Sequence, residues 1–358
     1  MKLAIVHDAL TVSGGAERVA LFMAQAFPDA AFFTSVYLPG KTFPEFKQFE
    51  VRTLPLSGGV HSDRQFKLMY PLWLAEIRRL KFSEFDVVLS SSTYLAKYVR
   101  PAKGVMHRSY LHAPFRLLWK PESYSADSLP TPNSMRGLVE LALPPLRRFD
   151  IRETRQIDSL AANCQNIANE IKTIYGREST VIHPPVRLKD FELAAGKGTY
   201  FLSVSRLISH KHVEIAVEAC NRLGVELVVV GEGPELKRLQ EMAGKTIHFV
   251  GRVSEETLRD LYKGCRALIF PSHEDFGLTP IEAQACGRPV IAFGKGGVLE
   301  TVQPGVTGCF FSAQTVESLQ AALEAFDETT FEPSTIRAWA AQFDVANFNN
   351  KLREFVQK

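Results

Sequence analysis

The feature that most constrains the fold is an alternation of short apolar runs and helix-type segments in the second half of the chain. Apolar runs typical of buried strands lie at residues 200–205, 226–230, 247–250, 267–270 and 290–293. Segments with helical composition or spacing lie between them, at residues 213–223, 235–243, 255–264 and 281–286. Strands that alternate with helices in this way form a parallel sheet with helices on both faces. The sequence therefore predicts an α/β fold.

The first half of the chain repeats this pattern less regularly. Strands are predicted at residues 2–7, 30–36, 85–90 and 104–111, helices after the first strand to residue 27 and at residues 147–160, and loops within residues 117–145. A segment with two prolines and a Gly-Lys-Gly turn, residues 183–198, has the composition of a linker. We therefore predict two domains, residues 1–185 and 196–340, with the amphipathic residues 341–358 packing back on the first.

The most specific motif is His-Glu-Asp-Phe-Gly-Leu-Thr-Pro-Ile-Glu, residues 273–282, which follows a predicted strand. Ligands of parallel sheets bind at the carboxyl ends of strands, and Gly277 would let the backbone approach a ligand closely. Amides that open a helix suit a phosphate, and the carboxylates of Glu274 and Glu282 can accept hydrogen bonds from sugar hydroxyls. For either glutamate alone, capping of the helix is an equally good interpretation.

Three further groups of residues follow predicted strands. Arg206 and Lys211 supply the cations that a nucleoside diphosphate leaving group needs, although two basic residues in a loop usually form only a solvated surface. The Gly14-Gly15 pair opens a helix without completing the dinucleotide-binding fingerprint, and a simple turn is the alternative. His112 begins the stretch His-Ala-Pro-Phe-Arg that ends at Arg116, and a structural histidine is the alternative there.

These motifs together point to a family. The two glutamates eight positions apart around Phe-Gly resemble the donor site of retaining GT-B glycosyltransferases of family 4. Residues 110–116 are similar to the His-x-Pro-x-Arg motif of its WbaZ-like mannosyltransferase subgroup, from which Ala113 and Phe115 depart. The resemblance spans nearly the whole chain and is loosest at residues 41–82, where acceptor recognition is expected. It implies a GT-B fold, in which two Rossmann-like domains face each other across a cleft.

The resemblance also implies a function and a set of site residues. The expected activity is retaining, metal-independent hexosyl transfer without a cofactor, from a nucleotide sugar such as GDP-mannose to a lipid-linked oligosaccharide in surface polysaccharide synthesis. The implied catalytic residues are His112, Glu274, Arg206 and Lys211, with Arg116 near the acceptor. The implied donor-binding residues are Gly14, Gly15, Arg206, Lys211, Arg252, Val253, Glu274, Phe276, Gly277, Leu278, Thr279 and Glu282. A UDP-sugar-dependent transferase, a UDP-sugar epimerase and a non-catalytic nucleotide-binding protein are the alternatives.

Composition and charge limit the partners and the compartment. A first strand in place of a signal peptide, and five scattered cysteines without a C-x-x-C pair, favour a cytoplasmic protein with reduced thiols and no zinc cluster. Residues 61–155 hold 16 Lys and Arg against 9 Asp and Glu, whereas residues 196–340 hold 14 against 18, which argues against a nucleic-acid groove. The basic and apolar residues 64–81 predict peripheral binding to the anionic inner face of the cytoplasmic membrane, with a core helix as the alternative.

Overall fold

The computed structural model describes residues 1–121 and 136–358 and divides the chain into two compact units. The first unit comprises Met1–His183 and Phe348–Lys358, and the second comprises Pro184–Asn347. Each unit is built on one sheet in which every described strand pair is parallel. The parallel α/β architecture predicted from the alternation of strands and helices is therefore confirmed.

The sheet of the first unit has seven strands. They are β1 (Leu3–His7), β2 (Ala31–Thr34), β3 (Val51–Thr53), β4 (Val87–Ser92), β5 (Met106–Leu111), β6 (Ser159–Ala162) and β7 (Thr180–Val181). The helices are α1 (Gly15–Ala26), α2 (Asp63–Leu68), α3 (Tyr70–Ile77), α4 (Arg116–Trp119), α5 (Arg136–Thr154) and α6 (Gln165–Tyr175). The strand order is β3-β2-β1-β4-β5-β6-β7, so the chain reverses its direction across the sheet between β1 and β4.

The sheet of the second unit has six strands. They are β8 (Tyr200–Val204), β9 (Leu227–Val230), β10 (Ile247–Gly251), β11 (Cys265–Phe270), β12 (Val290–Phe293) and β13 (Gly308–Phe311). The helices are α7 (Val213–Leu223), α8 (Leu236–Met242), α9 (Glu255–Gly264), α10 (Leu278–Ala285), α11 (Val298–Thr301), α12 (Val316–Glu324) and α13 (Pro333–Ala340). The last helix, α14 (Val345–Gln357), begins at the end of the second unit, and most of it belongs to the first. The strand order β10-β9-β8-β11-β12-β13 places the reversal between β8 and β11. Ligands of such sheets bind outside the carboxyl ends of the strands at this reversal.

Two predicted helices have bounds that differ from those in the structure by several residues. The helix predicted at residues 147–160 is wrong at both ends: α5 begins at Arg136, and β6 already begins at Ser159. Pro144 and Pro145 lie inside α5, although prolines usually interrupt helices, and for this reason the sequence suggested a loop there. The start of the loop predicted within residues 117–145 belongs to α4. The residues between 121 and 136 lie outside the described part of the chain.

The helix predicted at residues 281–286 begins earlier, at Leu278, and includes Pro280 in its first turn. Proline is tolerated there because the first amides of a helix have no partner within the helix. The short edge strand β3 was not predicted, because its largely exposed residues lack an apolar pattern. The earlier start of α10 matters for function, because it places the amides of the motif residues at a helix N-terminus.

A buried ion pair holds the helices of the first unit together. Lys97 Nζ lies 2.5 Å from Asp150 Oδ1, and both side chains are fully buried. Asp150 also accepts hydrogen bonds from Tyr98 Oη (2.7 Å), Trp119 Nε1 (2.6 Å) and Tyr175 Oη (2.8 Å). Its carboxylate therefore connects the turn after β4 with α4, α5 and α6.

Candidate functional site

The carboxyl ends of β8 and β11 bring together two of the residues predicted from the sequence. Lys211 Nζ, in the loop after β8, lies 2.6 Å from Glu274 Oε1, in the loop after β11. Ser272 Oγ donates a hydrogen bond of 2.8 Å to the same carboxylate oxygen. Lys211 is only 14% exposed, so its ammonium is held in place rather than free in solvent. A cation and a carboxylate thus lie side by side at the reversal of the strand order.

The loop that includes Arg206 is held by a close backbone approach. Gly231, at the end of β9, has φ +135°, and a Cβ added to it would lie 1.8 Å from the carbonyl oxygen of Ser205. Leu207 N donates to the carbonyl oxygen of Glu232 at 2.9 Å. Arg206 itself is exposed between these contacts. The glycine allows the two loops to touch, and its backbone contact fixes the loop that presents Arg206.

The loop that includes Glu274 rests on the turn after β12. Gly296 pairs with Glu274 in a parallel bridge, and Gly297 N donates to the carbonyl oxygen of Glu274 at 2.9 Å. Gly296 has φ +79°, and a Cβ there would lie 2.4 Å from the carbonyl oxygen of Glu274. The sequence prediction missed these glycines, although the Gly-Lys-Gly-Gly run after a strand is a signal of close backbone approach.

The motif glycine precedes α10. Gly277 is the N-cap of the helix, and the half-buried Leu278 and Thr279 supply its first amides. The ring of Phe276 is buried, with its centroid 5.8 Å from that of Phe343. Phe276 therefore anchors the loop by packing, while the helix N-terminus offers amides of the kind that bind phosphate.

The second motif glutamate lies deeper than the first. Glu282 is 7% exposed, and Tyr262 Oη of α9 donates a hydrogen bond of 2.7 Å to its Oε2. Burial, followed by the neighbouring Glu282 carboxylate, raises the pKa of Tyr262 well above its ordinary value. The tyrosine therefore remains a hydrogen-bond donor at neutral pH and orients the Glu282 carboxylate.

Arg252 and Val253 follow the end of β10 at the same edge of the sheet. Arg252 is exposed and Val253 is half-buried. Gly231 N donates to the carbonyl oxygen of Gly251 at 2.9 Å, which joins this turn to the loop after β9. All the residues predicted for the donor site in the second unit therefore follow the carboxyl ends of β8, β10 and β11.

In the first unit, His112 lies at the carboxyl end of β5 and is buried. Its Nε2 is 2.8 Å from Ser91 Oγ, and Ser91 Oγ is 3.1 Å from His7 Nδ1. Burial, followed by the proximity of His7, lowers the pKa of His112 to about 3. The imidazole is therefore neutral at physiological pH. The sequence prediction missed His7 and Ser91, because they become neighbours of His112 only through strand pairing.

The turn before α1 is occupied by an acidic side chain. A Cβ added to Gly14 would lie 2.5 Å from Glu17 Oε2, because this carboxylate folds back towards the start of the helix as in a capping box. Burial raises the pKa of Glu17 to about 7, and the carboxylates of Asp8 and Asp63 contribute to the increase. An anion that approaches the amides of Gly14 and Gly15 therefore competes with the Glu17 carboxyl group, which is about half protonated at neutral pH. Glu17 was not predicted from the sequence, although it is the third residue of α1.

The remaining predicted acceptor residue is Arg116, the first residue of α4, which is half-buried. Its position directly after Phe115 keeps it in the same chain segment as His112.

The segment at residues 64–81 forms two helices, α2 and α3, rather than one amphipathic stretch. Phe66 and Trp73 are fully buried and stacked with a centroid distance of 5.8 Å, so the prediction that they contribute to a lipid-facing surface is wrong. Leu68 and Leu72 are 55% and 50% exposed and lie near the exposed Arg64 in the sequence. Among the described residues, no helix is both long and apolar enough to span a bilayer.

Two family models match consecutive parts of the chain. The model described as Glycosyltransferase Family 4 matches residues 13–190, and the model described as Glycosyl transferases group 1 matches residues 187–333. The two matches therefore include the sequence of both sheets except for the first strand.

Characterised relatives are similar over different lengths. The human alpha-1,3/1,6-mannosyltransferase ALG2 is 25% identical over 99% of this chain and 95% of its own length. A glycogen synthase from Pseudomonas syringae pv. syringae is 31% identical, over 44% of this chain and 35% of its own length. The mannosyltransferase is thus a distant relative along the full chain, whereas the glycogen synthase is similar to only part of it.

Solved structures share the fold. Anabaena HepE in complex with UDP and glucose superposes with a TM-score of 0.75 at 20% identity, over 100% of both chains. Sucrose-phosphate synthase from Thermosynechococcus elongatus superposes with a TM-score of 0.75 at 19% identity, over 100% of this chain and 98% of its own. These similarities confirm the predicted GT-B fold with two Rossmann-like units.

Proposed function

The chain belongs to glycosyltransferase family 4, a retaining and metal-independent class, and we propose that it transfers mannose from GDP-mannose to a lipid-linked oligosaccharide. The observation that supports donor binding most strongly is the contact between Lys211 and Glu274 at the strand reversal of the second unit. A cation at this position can neutralise a departing diphosphate, and a carboxylate can bind sugar hydroxyls.

Retention constrains the chemistry that these residues must support. In the proposed reaction the acceptor hydroxyl attacks from the face that the diphosphate leaves, and the diphosphate takes the proton of that hydroxyl. No protein nucleophile is required, so Arg206 and Lys211 stabilise the negative charge that develops as the bond between sugar and phosphate breaks. His112, which is neutral at physiological pH, orients the sugar rather than acting as an obligate base.

Mannose is favoured by two independent similarities. The mannosyltransferase ALG2 is a distant relative, and the similarity spans nearly its full length. Residues 110–116 resemble the WbaZ-like mannosyltransferases. A UDP-sugar is the second candidate donor, because HepE binds UDP and glucose on the same fold. The choice between the two nucleotides distinguishes these proposals.

The proposal is tested by incubating the purified protein with a panel of nucleotide sugars and measuring thermal stabilisation and slow donor hydrolysis. We expect GDP-mannose to stabilise the protein most and to release GDP. A preference for a UDP-sugar would contradict mannose transfer and support the second candidate, transfer from a UDP-sugar. Absence of both stabilisation and hydrolysis across the panel would contradict the donor class.

The two motif glutamates are expected to act on different parts of the donor. Glu282→Ala should weaken binding of GDP itself, because we assign the buried carboxylate to the ribose. Glu274→Ala should leave GDP affinity within about threefold, a change of at most about 0.7 kcal/mol, while it impairs binding of the sugar. Calorimetric titration with GDP and GDP-mannose measures both effects. Equal loss of GDP affinity in the two variants would contradict this assignment.

The acceptor is proposed to be presented at the inner face of the cytoplasmic membrane, in surface polysaccharide synthesis. Leu68 and Leu72 can enter the lipid headgroup region, and exposed basic residues nearby are attracted to anionic lipid by about 1 kcal/mol each. We expect co-sedimentation with vesicles to increase with anionic lipid content and to decrease with salt.

The double variant Leu68→Ser/Leu72→Ser should reduce this vesicle binding. Leu299→Ser is a matched control, because Leu299 is 56% exposed in the second unit and should leave binding unchanged. Equal binding by all three proteins, or binding independent of lipid charge, would refute this surface.

A further inference from the structure

His7 and Ser91 form a hydrogen-bonded chain with the candidate catalytic residue His112. His7 is the last residue of β1 and pairs in register with Ser91 of β4, and β5 lies on the other side of β4. One hydroxyl group bridges the two imidazoles, at 3.1 Å from His7 Nδ1 and 2.8 Å from His112 Nε2. The three side chains are buried, so no bulk water competes for these bonds.

The donor and the acceptor in each hydrogen bond between His7, Ser91 and His112 can be assigned. His7 Nε2 is buried without a hydrogen-bond partner among the described residues, so Nδ1 is the ring nitrogen of His7 that bonds. Burial lowers the pKa of His7, so its ring is neutral and carries one proton. A buried N–H group without a partner is rarer than a buried acceptor atom without one, so this proton belongs on Nδ1 and Nε2 is the bare nitrogen. His7 then donates to Ser91 Oγ.

The single hydroxyl hydrogen of Ser91 is thereby available to His112. Ser91 Oγ accepts from His7 and donates to His112 Nε2, which must be unprotonated to accept. The proton of the neutral His112 ring consequently lies on Nδ1. The main chain of His112 is also fixed, because its amide donates to Ser92 O at 2.9 Å and its carbonyl accepts from Asn163 Nδ2 at 2.8 Å.

We propose that His7 and Ser91 are positioning residues that hold His112 as the Nδ1–H tautomer, so that it donates a hydrogen bond to an oxygen of the transferred sugar. This inference deepens the proposed function and rests on it for the identity of the ligand. It defines His112 as a donor at Nδ1 and excludes Nδ1 as the base in the resting protein. The ligand class is a sugar that presents a hydroxyl or ring oxygen as acceptor.

The tautomer is measured directly by long-range proton–nitrogen correlation spectra of the full-length protein with 15N-labelled histidine. The His112 signals are assigned by comparison with His112→Gln. We expect His112 to show a protonated Nδ1 and an unprotonated Nε2. The opposite tautomer, or a rapid mixture of both, would overturn the proposal. This measurement requires no turnover, so it remains decisive if the proposed donor is wrong.

Measurements of kcat and KM distinguish a positioning role of Ser91 and His7 from a purely structural one. Ser91→Ala and His7→Leu should each lower kcat by about tenfold, the effect of losing one hydrogen bond that orients a reacting group, with little change in KM. Ser91→Thr and His7→Asn retain the hydroxyl and an N–H donor, and each should restore most of the lost kcat. If the conservative variants are as impaired as the disruptive ones, His7 and Ser91 do not act on His112 through these hydrogen bonds.

The first unit provides a matched control. Ser90 Oγ lies 2.9 Å from His107 Nε2, and burial lowers the pKa of His107 to about 4, so this pair has the same chemistry one residue earlier on β4. Ser90→Ala should lower the melting temperature but leave kcat within about twofold of wild type. Equal losses of kcat in Ser90→Ala and Ser91→Ala would indicate a general effect of stability and refute the specific role of Ser91. Absence of turnover in the wild type contradicts the proposed function alone.

Discussion

Replacement of Lys211 by alanine is expected to lower kcat by about 100-fold or more, and replacement of Arg206 should have an effect of the same order. Both residues follow β8 at the strand reversal, where a departing diphosphate would gain most from a fixed positive charge. Lys211 is already held by Glu274 at 2.6 Å, so little reorganisation is needed during the reaction. Steady-state rates of transfer from the identified nucleotide sugar measure this effect.

Lys245 provides a control for the change of net charge. It is exposed and precedes β10, so it lies at the amino-terminal edge of the same sheet, and Lys245→Ala should leave kcat nearly unchanged. Arg206→Lys retains the charge but loses the planar guanidinium that binds phosphate through two hydrogen bonds, and should recover only part of the activity. Near-normal turnover in both alanine variants would contradict the assignment of these cations to the diphosphate.

Much of the fold follows from the sequence because the second sheet is encoded by local patterns. Helices α7 and α9 have the predicted bounds, since their apolar spacing and their ends are both marked by residue type. Helices α5 and α10 differ from the prediction because prolines lie inside them. Proline marks a boundary only on average, and its cost within a helix depends on which amide would otherwise have bonded.

The candidate site is predictable where its residues share a short motif, as Glu274 and Glu282 do. Their partners are not, because contacts such as Tyr262 with Glu282 arise from packing between separate helices. The support of Glu274 by Gly296 likewise depends on strand order, which brings the turn after β12 beside the loop after β11. The lipid-facing interpretation of Phe66 and Trp73 was wrong because composition alone does not determine which face of a helix is buried.

The ion pair in the first unit should produce the largest effect on stability. Asp150→Asn or Lys97→Met leaves one buried polar group without its charged partner, and breaking a buried pair typically costs about 3–5 kcal/mol. Burial alone would raise the pKa of Asp150, but the Lys97 ammonium and the hydrogen bonds from Lys97, Tyr98 and Trp119 together hold the pKa below its ordinary value of 3.8. The stabilisation is therefore present above about pH 4 and is lost as the pH falls through the lowered pKa.

Differential scanning calorimetry of the single variants and of Lys97→Met/Asp150→Leu separates the charge pair from the packing around it. We expect the double variant to be more stable than either single variant, because it leaves no uncompensated buried charge. The single variants should lose less stability relative to wild type below pH 4 than at pH 7, since protonation of Asp150 already weakens the wild-type pair. A double variant less stable than both single variants would show that the hydrogen bonds from Tyr98, Trp119 and Tyr175 to Asp150, rather than its pairing with Lys97, dominate this core.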